Sequence, residues 1–373
     1  MKPSVLTLAL AAALSAPSAA QAQSSVQIYG LIDAGVDYTT NANAAGENAT
    51  RVISGGKNTS RWGLRGTEDL GGGLKAVFGL EGGILMDTGA SDGALFKRQA
   101  FVGLDGSFGR VVIGRSFTTT YDFVILFDPL GYAPNYSWAT SSNATGPSKY
   151  GMTTAFDNLV KYSGKSGDFK YGATIGLGEQ AGSSADSRKY SAAGSWTRGS
   201  FAAMAAYEQI NANTLLGTGR RDQTTAFHAA VDYKTEALRL TGGMRDFTLE
   251  AAKAATPDVR ATTWWGGASW YATPALTLTG AVYYVNVKNV AANTDADPIM
   301  YVARGMVALS KRTDLYVAAA YAKADNGKLV GLSRDDAGFS TTQKGSRPVS
   351  SIVSDAFCIT GGAIMVVRSP RPS

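Results

Sequence analysis

The chain is poor in the residues that most chemistry needs. Cysteine and histidine occur once each in 373 residues, as Cys358 and His228. A lone cysteine excludes an internal disulfide framework and thiolate metal sites, and a lone histidine removes most histidine-dependent catalysis. Charged residues make up 17% of the chain, and the net charge of +6 is not gathered into a Lys/Arg run, so no nucleic-acid partner is expected. Beyond the first 22 residues no apolar stretch reaches the ~18 residues of a membrane-crossing helix. A Ser/His/Asp site would have to recruit His228, which alternation sets on the polar face of a strand. Gly71-Gly72-Gly73 lacks the following helix and the Lys-Ser/Thr of a phosphate loop, and Glu68-Asp69 shows no metal-ligand pattern. No catalytic residue, cofactor or metal is therefore expected.

What is present begins with an export signal. Lys2 supplies a positive start, Val5 to Ala13 a short apolar core, and Ala20-Gln21-Ala22 a small-x-small cleavage site, so residues 1–22 read as a signal peptide. From Gln23 onward period-2 alternation dominates. Val26, Ile28, Gly30, Ile32, Ala34, Val36 and Tyr38 share one face and Gln27, Asp33 and Asp37 the other. The pattern recurs in about sixteen segments of around ten residues, the length of a tilted strand crossing a bilayer. Tight connections such as residues 70–73, 106–109 and 272–274 alternate with long polar ones at 40–57, 211–221 and 250–259. Tyr38, Tyr233, Trp270 and Tyr284 stand at strand ends on the apolar face, where amphipathic rings sit among head groups. The expected fold is all-β, a transmembrane antiparallel β-barrel of about 16 strands in an outer membrane. Residues 117–155 interrupt it with no periodicity at all, and so long a loop inside a compact domain is usually functional.

Several stretches resemble the general, or diffusion, porins of Gram-negative outer membranes. They are Val26-Gln27-Ile28-Tyr29-Gly30-Leu31-Ile32-Asp33, the long run from Ser60-Arg61-Trp62-Gly63-Leu64-Arg65-Gly66 to Lys75-Ala76, Arg98-Gln99-Ala100-Phe101-Val102-Gly103-Leu104, Gly109 to Arg115, and Asp157-Asn158-Leu159-Val160-Lys161-Tyr162. The resemblance implies a homotrimeric, sixteen-stranded barrel at residues 23–345, its third loop folded into the pore. It implies passive diffusion of ions and small hydrophilic solutes, with outer-membrane lipid around the barrel. Position by position, it puts a basic wall at Arg61, Arg65, Arg98 and Lys161, facing Tyr121, Asp122 and Asp128 of the constriction loop. Alternation agrees for Lys161, which opposes Val160 and Tyr162. For Arg98 it takes Ala100 as inward and Phe101 as outward. A net basic wall predicts a preference for anions. A solute-specific channel using Tyr121, Phe123 and Tyr132, an outer-membrane enzyme, and a barrel adhesin reading through its outer loops are the alternatives.

The end of the chain departs from this pattern. A last alternating strand begins at residues 338–343 and gives way to Ser346-Arg347-Pro348, and Pro348 lacks the N–H that a closing ladder needs. Residues 346–373 therefore read as an aberrant tail, which would leave an open sheet edge in lipid. Codons for Ser346 to Asp355, read one base earlier, can spell Val-Thr-Ala-Gly-Ile-x-His-Arg-Phe-stop, a fitting final strand. Resequencing the DNA across Gly345 should show one base missing there and an in-frame TGA directly after a Phe codon; an intact frame with no such stop refutes a shifted ending.

Overall fold

Side chains that alternate between apolar and polar make strands whose two faces meet different media. The computed structural model describes residues 25–139, 150–151, 153–253 and 256–332, and the backbone alone of segments 342–347, 353–355, 358–360 and 363–365. The expected signal peptide lies outside them. The strands are β1 (Ser25–Ile32), β2 (Ala34–Thr39), β3 (Ala49–Ser54), β4 (Arg61–Gly71), β5 (Leu74–Gly83), β6 (Gln99–Gly106) and β7 (Gly109–Phe117). After the long loop come β8 (Ala155–Ser166), β9 (Phe169–Gly176), β10 (Lys189–Arg198), β11 (Phe201–Asn211) and β12 (Gln223–Lys234). There follow β13 (Leu238–Glu250), β14 (Val259–Tyr271), β15 (Leu276–Lys288), β16 (Ile299–Ala308) and β17 (Thr313–Lys323), then short pieces β18 (Thr342–Arg347) and β19 (Val353–Asp355).

From β4 to β17 each strand pairs antiparallel with the next, while β1 pairs with β4 and β2 with β3. So β1 and β2 are one barrel strand broken at Asp33, β3 and β4 are the next, and β18 with β19 form the last. The nineteen segments of the sheet thus make sixteen barrel strands. Residues 40–57, expected to be one loop, contain β3. Among the described residues no helix is long and apolar enough to cross a membrane.

At Asp33 the backbone leaves the ladder for the Ser60 hydroxyl, which accepts from the Asp33 N–H (2.9 Å) and donates to the Asp33 carbonyl (2.8 Å). The Asp33 carboxylate is fully buried and accepts from the backbone N–H groups of Lys57 (3.0 Å) and Asn58 (2.6 Å) and from the Tyr316 hydroxyl (3.1 Å). These bonds tie the second barrel strand to β17 across the seam where the barrel's ends meet, and Lys57 adds an ion pair to Asp314 (2.7 Å). Among the described residues, the seam's ladder pairs Gly345 and Ser346 with Thr39 and Tyr38, and Ser354 and Asp355 with Ile32 and Leu31. The edge expected to stay open is met by these fragments, and the Asp33 knot supplements them from inside.

The outward face carries Ile28, Val102, Ile113, Val160, Val231 and Val282, all exposed. Aromatics gather toward the tight-turn rim, as at Phe201 and Tyr233 (ring centroids 4.7 Å apart) and Trp270, and toward the other rim, as at Tyr38, Phe227 and Trp264. Val282 sits at the middle of β15 on that face. Val282→Arg should cost about 2–4 kcal/mol in reversible unfolding from lipid vesicles, the penalty of a cation at the bilayer midplane; a change below about 0.5 kcal/mol would contradict its placement in the apolar band.

Candidate functional site

At Phe117 the chain leaves the wall and turns inward. Thr118 caps a six-residue helix, α1 (Thr119–Val124), its hydroxyl accepting from the Tyr121 N–H at 3.0 Å. The sequence pattern had given no helix here, and six residues are too few to be helical unaided. The wall holds it. The Thr119 hydroxyl bonds that of Thr174 (2.8 Å), and Ser191 Oγ accepts from the Thr120 N–H (2.7 Å). Lys161 donates to the Phe117 carbonyl (2.9 Å) and pairs with Asp122. Crowding by the surrounding protein raises the Asp122 carboxyl above the usual range, the Lys161 ammonium pulling it the other way.

Beyond α1 a 3-10 turn, Ile125–Phe127, is clamped by Trp265, whose indole N–H donates to the Phe127 carbonyl (2.9 Å), and by Arg239, which donates to that of Leu126. Then comes Asp128, and here the structure differs from expectation. Asp128 does not face the passage: it is fully buried, and its carboxylate accepts from the N–H groups of Leu130 (3.1 Å) and Tyr132 (2.6 Å) and from the hydroxyls of Ser137 (2.5 Å) and Tyr283 (2.6 Å). Four donors to one carboxylate make a brace that fixes the loop's shape and fastens it to β15. Next to it Pro129 lies on Gly267, where a Cβ would come within 2.5 Å of the proline ring. Farther on, buried Arg245 donates to the Ala139 carbonyl (2.8 Å).

Held this way, the loop narrows the lumen. Phe117, Tyr121, Ile125, Gly131 and Tyr132 face Lys57, Arg61, Glu81 and Arg98 across a gap of about 150 Å³. Tyr121 stacks on Phe117 (4.5 Å) and meets Tyr132 edge-on (5.1 Å). Arg98 reaches this gap by a different route from simple alternation. Phe101 is the inward residue, opposite inward Gly79, while Val102 is exposed outside. Arg98 precedes β6 and its side chain comes round to Glu81, which accepts from its Nε at 2.7 Å, and over the Phe117 ring at 5.2 Å.

Glu81 is the residue that sequence reasoning passed over. Its nearly buried carboxylate also accepts from the Tyr29 hydroxyl (2.9 Å) and lies 3.8 Å from Arg61 Nε. Alternation with Leu80 in β5 puts it on the polar face, but nothing in a linear pattern says that one carboxylate sits between two guanidiniums. Arg65 stays more exposed toward the tight-turn rim, donating to Gln27 (3.1 Å) and lying over the Tyr29 ring (5.0 Å). The structure thus brings Arg61 and Arg98 together with Tyr121, joins Lys161 to Asp122 behind the loop, and sets Arg65 and Asp128 apart from the narrowest point.

Below the gap the lumen widens into a chamber of about 650 Å³, lined among others by Lys57, Arg239, Arg304, Lys311, Arg312 and Asp314. Arg304 forms no ion pair among the described residues, and its Nε and one terminal nitrogen are buried without a hydrogen-bond partner.

A model of the Gram-negative porin family matches residues 8–327. The chain belongs to that family. Its place is the Gram-negative outer membrane. The "Outer membrane porin protein 32" of Delftia acidovorans is 32% identical over 168 residues, a match spanning 43% of this chain and 45% of that relative. Among solved structures, an "anion-selective porin from Comamonas acidovorans" shares the fold with a TM-score of 0.73 and 26% identity, over 90% of this chain and all of that one. The OmpT outer-membrane protein of Vibrio cholerae, described in a trimer form, superposes with a TM-score of 0.63 at 13% identity, over 90% of this porin and 99% of that chain.

Because the brace is one carboxylate, its removal is a direct test of what holds the loop. Asp128→Ala leaves buried donors of Tyr283 and Ser137 unpaired, at ~1–3 kcal/mol each. Single-channel recordings should then show a larger and noisier conductance, and limited proteolysis should cut within the loop; unchanged conductance and resistance would show that the brace is dispensable.

Proposed function

We propose that this porin is a water-filled channel passing ions and small hydrophilic solutes down their gradients, with a preference for anions, and that it works as a homotrimer. The observation that carries this is the braced loop facing a wall of uneven charge. At the gap two guanidiniums share one carboxylate, which leaves that cluster one positive charge in excess. Field lines concentrate in a narrow passage with low-dielectric walls, so a small excess acts strongly there. Arg304 and the rim cations Lys311 and Arg312 extend the positive lining into the chamber below. Arg61 and Arg98 act at the gap and Arg65 toward the rim, while Lys161 and Asp122 hold the loop's root. The anion selectivity named for the Comamonas structure accords with this, and the trimer form of the Vibrio protein with a homotrimer. Residues 346–373 fit best as a shifted ending in place of the last strand, since Pro348 lacks the N–H that a closing ladder needs.

The paired tyrosines at the gap favour a second, narrower reading, a channel selective for solutes that graze Tyr121 and Tyr132. Phe123, expected to join them, is buried on the far side of α1 and does not line the gap. An adhesin or an enzyme would need no conduction.

Planar-bilayer recordings under a salt gradient decide the matter. Openings in steps of three and an anion-sign reversal potential are expected. Glu81→Gln should raise the anion-to-cation permeability ratio, and Arg98→Ala or Arg61→Ala should lower it, each by about twofold or more. A folded barrel that does not conduct would end the channel reading, and a ratio unmoved by Glu81→Gln would end the assignment of selectivity to this cluster.

A further inference from the structure

On the other side of α1 from the gap, a separate cavity of about 380 Å³ opens toward the tight-turn rim, lined among others by Phe123, Leu126, Arg110, Lys165 and Lys170. Its volume falls within the ~300–1,000 Å³ of small-molecule sites. Its apolar side comes from the loop: Phe123 presents the little surface it leaves uncovered, and Leu126 is 53% exposed inside the lumen. Its charge comes from the wall. Arg110 is matched by Asp105 (2.9 Å) and Asp122 by Lys161. Lys165 and Lys170 are different, since they stand directly opposite each other on β8 and β9, and neither forms an ion pair or side-chain hydrogen bond among the described residues. Like charges directly opposite on neighbouring strands are unfavourable. Arg61, Arg98 and Lys161 around the loop are each matched by a carboxylate, and here two cations are left free beside exposed apolar surface.

We propose that this cavity is a binding site for amphiphilic anions, in which Lys165 and Lys170 hold a sulfonate or carboxylate head and Phe123 and Leu126 take a compact apolar body. Its place within the lumen excludes membrane lipid as the occupant. The proposal rests on the lumen being an aqueous passage, and it adds a class of solute that pauses beside the route rather than in the gap. Each half of the ligand has its counterpart: the two ammonium groups gain the counter-charge they lack, and Leu126 gains an apolar partner. A bare inorganic anion would satisfy the first alone.

Binding can be read without conduction. The ¹⁹F signal of 4-fluorobenzenesulfonate, titrated with the detergent-solubilised full chain against a micelle blank, should shift saturably. Unlabelled benzenesulfonate should displace it, whereas methanesulfonate, which lacks the body, and benzenesulfonamide, which lacks the charge, should not at equal concentration. Lys165→Gln with Lys170→Gln should weaken binding about tenfold, and Leu126→Ser several-fold. Displacement by methanesulfonate would reduce the site to a bare cation field. Displacement by benzenesulfonamide would reduce it to an apolar crevice, and unchanged affinity in the double variant would remove it altogether. Each of these overturns the proposal. A conducting porin that fails to bind the probe refutes the site alone, and a folded barrel that binds it without conducting refutes the channel and keeps the site.

Discussion

Lipid offers the backbone no hydrogen bonds, and the rest of this molecule follows from that. A sheet that crosses a bilayer must pair its own N–H and C=O groups around a closed ring, and a ring large enough for sixteen strands encloses water. Each strand therefore meets oil on one side and water on the other, which forces a period of two over most of the chain. The same constraint falls on the seam, where β18 and β19 meet β2 and β1. There the Asp33 knot joins Lys57, Asn58 and Tyr316 from inside and adds polar bonds beside the ladder.

A loop hung in water inside such a ring has no large core of its own to fold around. It is fixed by packing Phe127, Leu130, Tyr136 and Trp138 against wall residues such as Phe247, Trp265 and Met300, and by polar contacts buried with them. Asp128 gathers four donors, and Trp265, Arg239, Arg245 and Lys161 each take a loop carbonyl. Most of the carboxylates and guanidiniums near the loop are thereby spent on structure. On the proposed channel reading, what remains to act on a passing ion is the small excess left after Glu81 is shared between Arg61 and Arg98, and the cations with no carboxylate at hand.

The faces of strands such as β1, β2 and β8 were legible in the sequence because alternation is a local property, whereas that of β6 was read inverted. So was the identity of the constriction loop, since a segment without periodicity between two strands stands out. What could not be read were contacts that need two distant segments at once. Asp128 looks like any loop carboxylate until Tyr283, 155 positions away, is brought beside it. Glu81 looks like any polar strand residue until Arg98 and Arg61 converge on it. For Arg98 the parity count took Ala100 as inward, whereas Gln99 and Phe101 face the lumen; Arg98 reaches it only because it precedes β6 and is not governed by that strand's alternation. The helix α1 was hidden for a related reason: its threonines are poor helix formers, and their hydroxyls are what the wall grips.

The position of α1 then divides the lumen. On one side, Tyr121 and Phe117 face guanidiniums already committed to Glu81; on the other, Phe123 and Leu126 face two lysines committed to nothing. A six-residue helix has room for little more than one residue per turn on each side, so the same short segment that narrows the pore also sets the chemistry of the space behind it. Its anchors at Thr119, Thr120 and Asp122 all point to the wall between those two faces. One short segment, gripped by the wall at three residues, therefore presents a different face to each space.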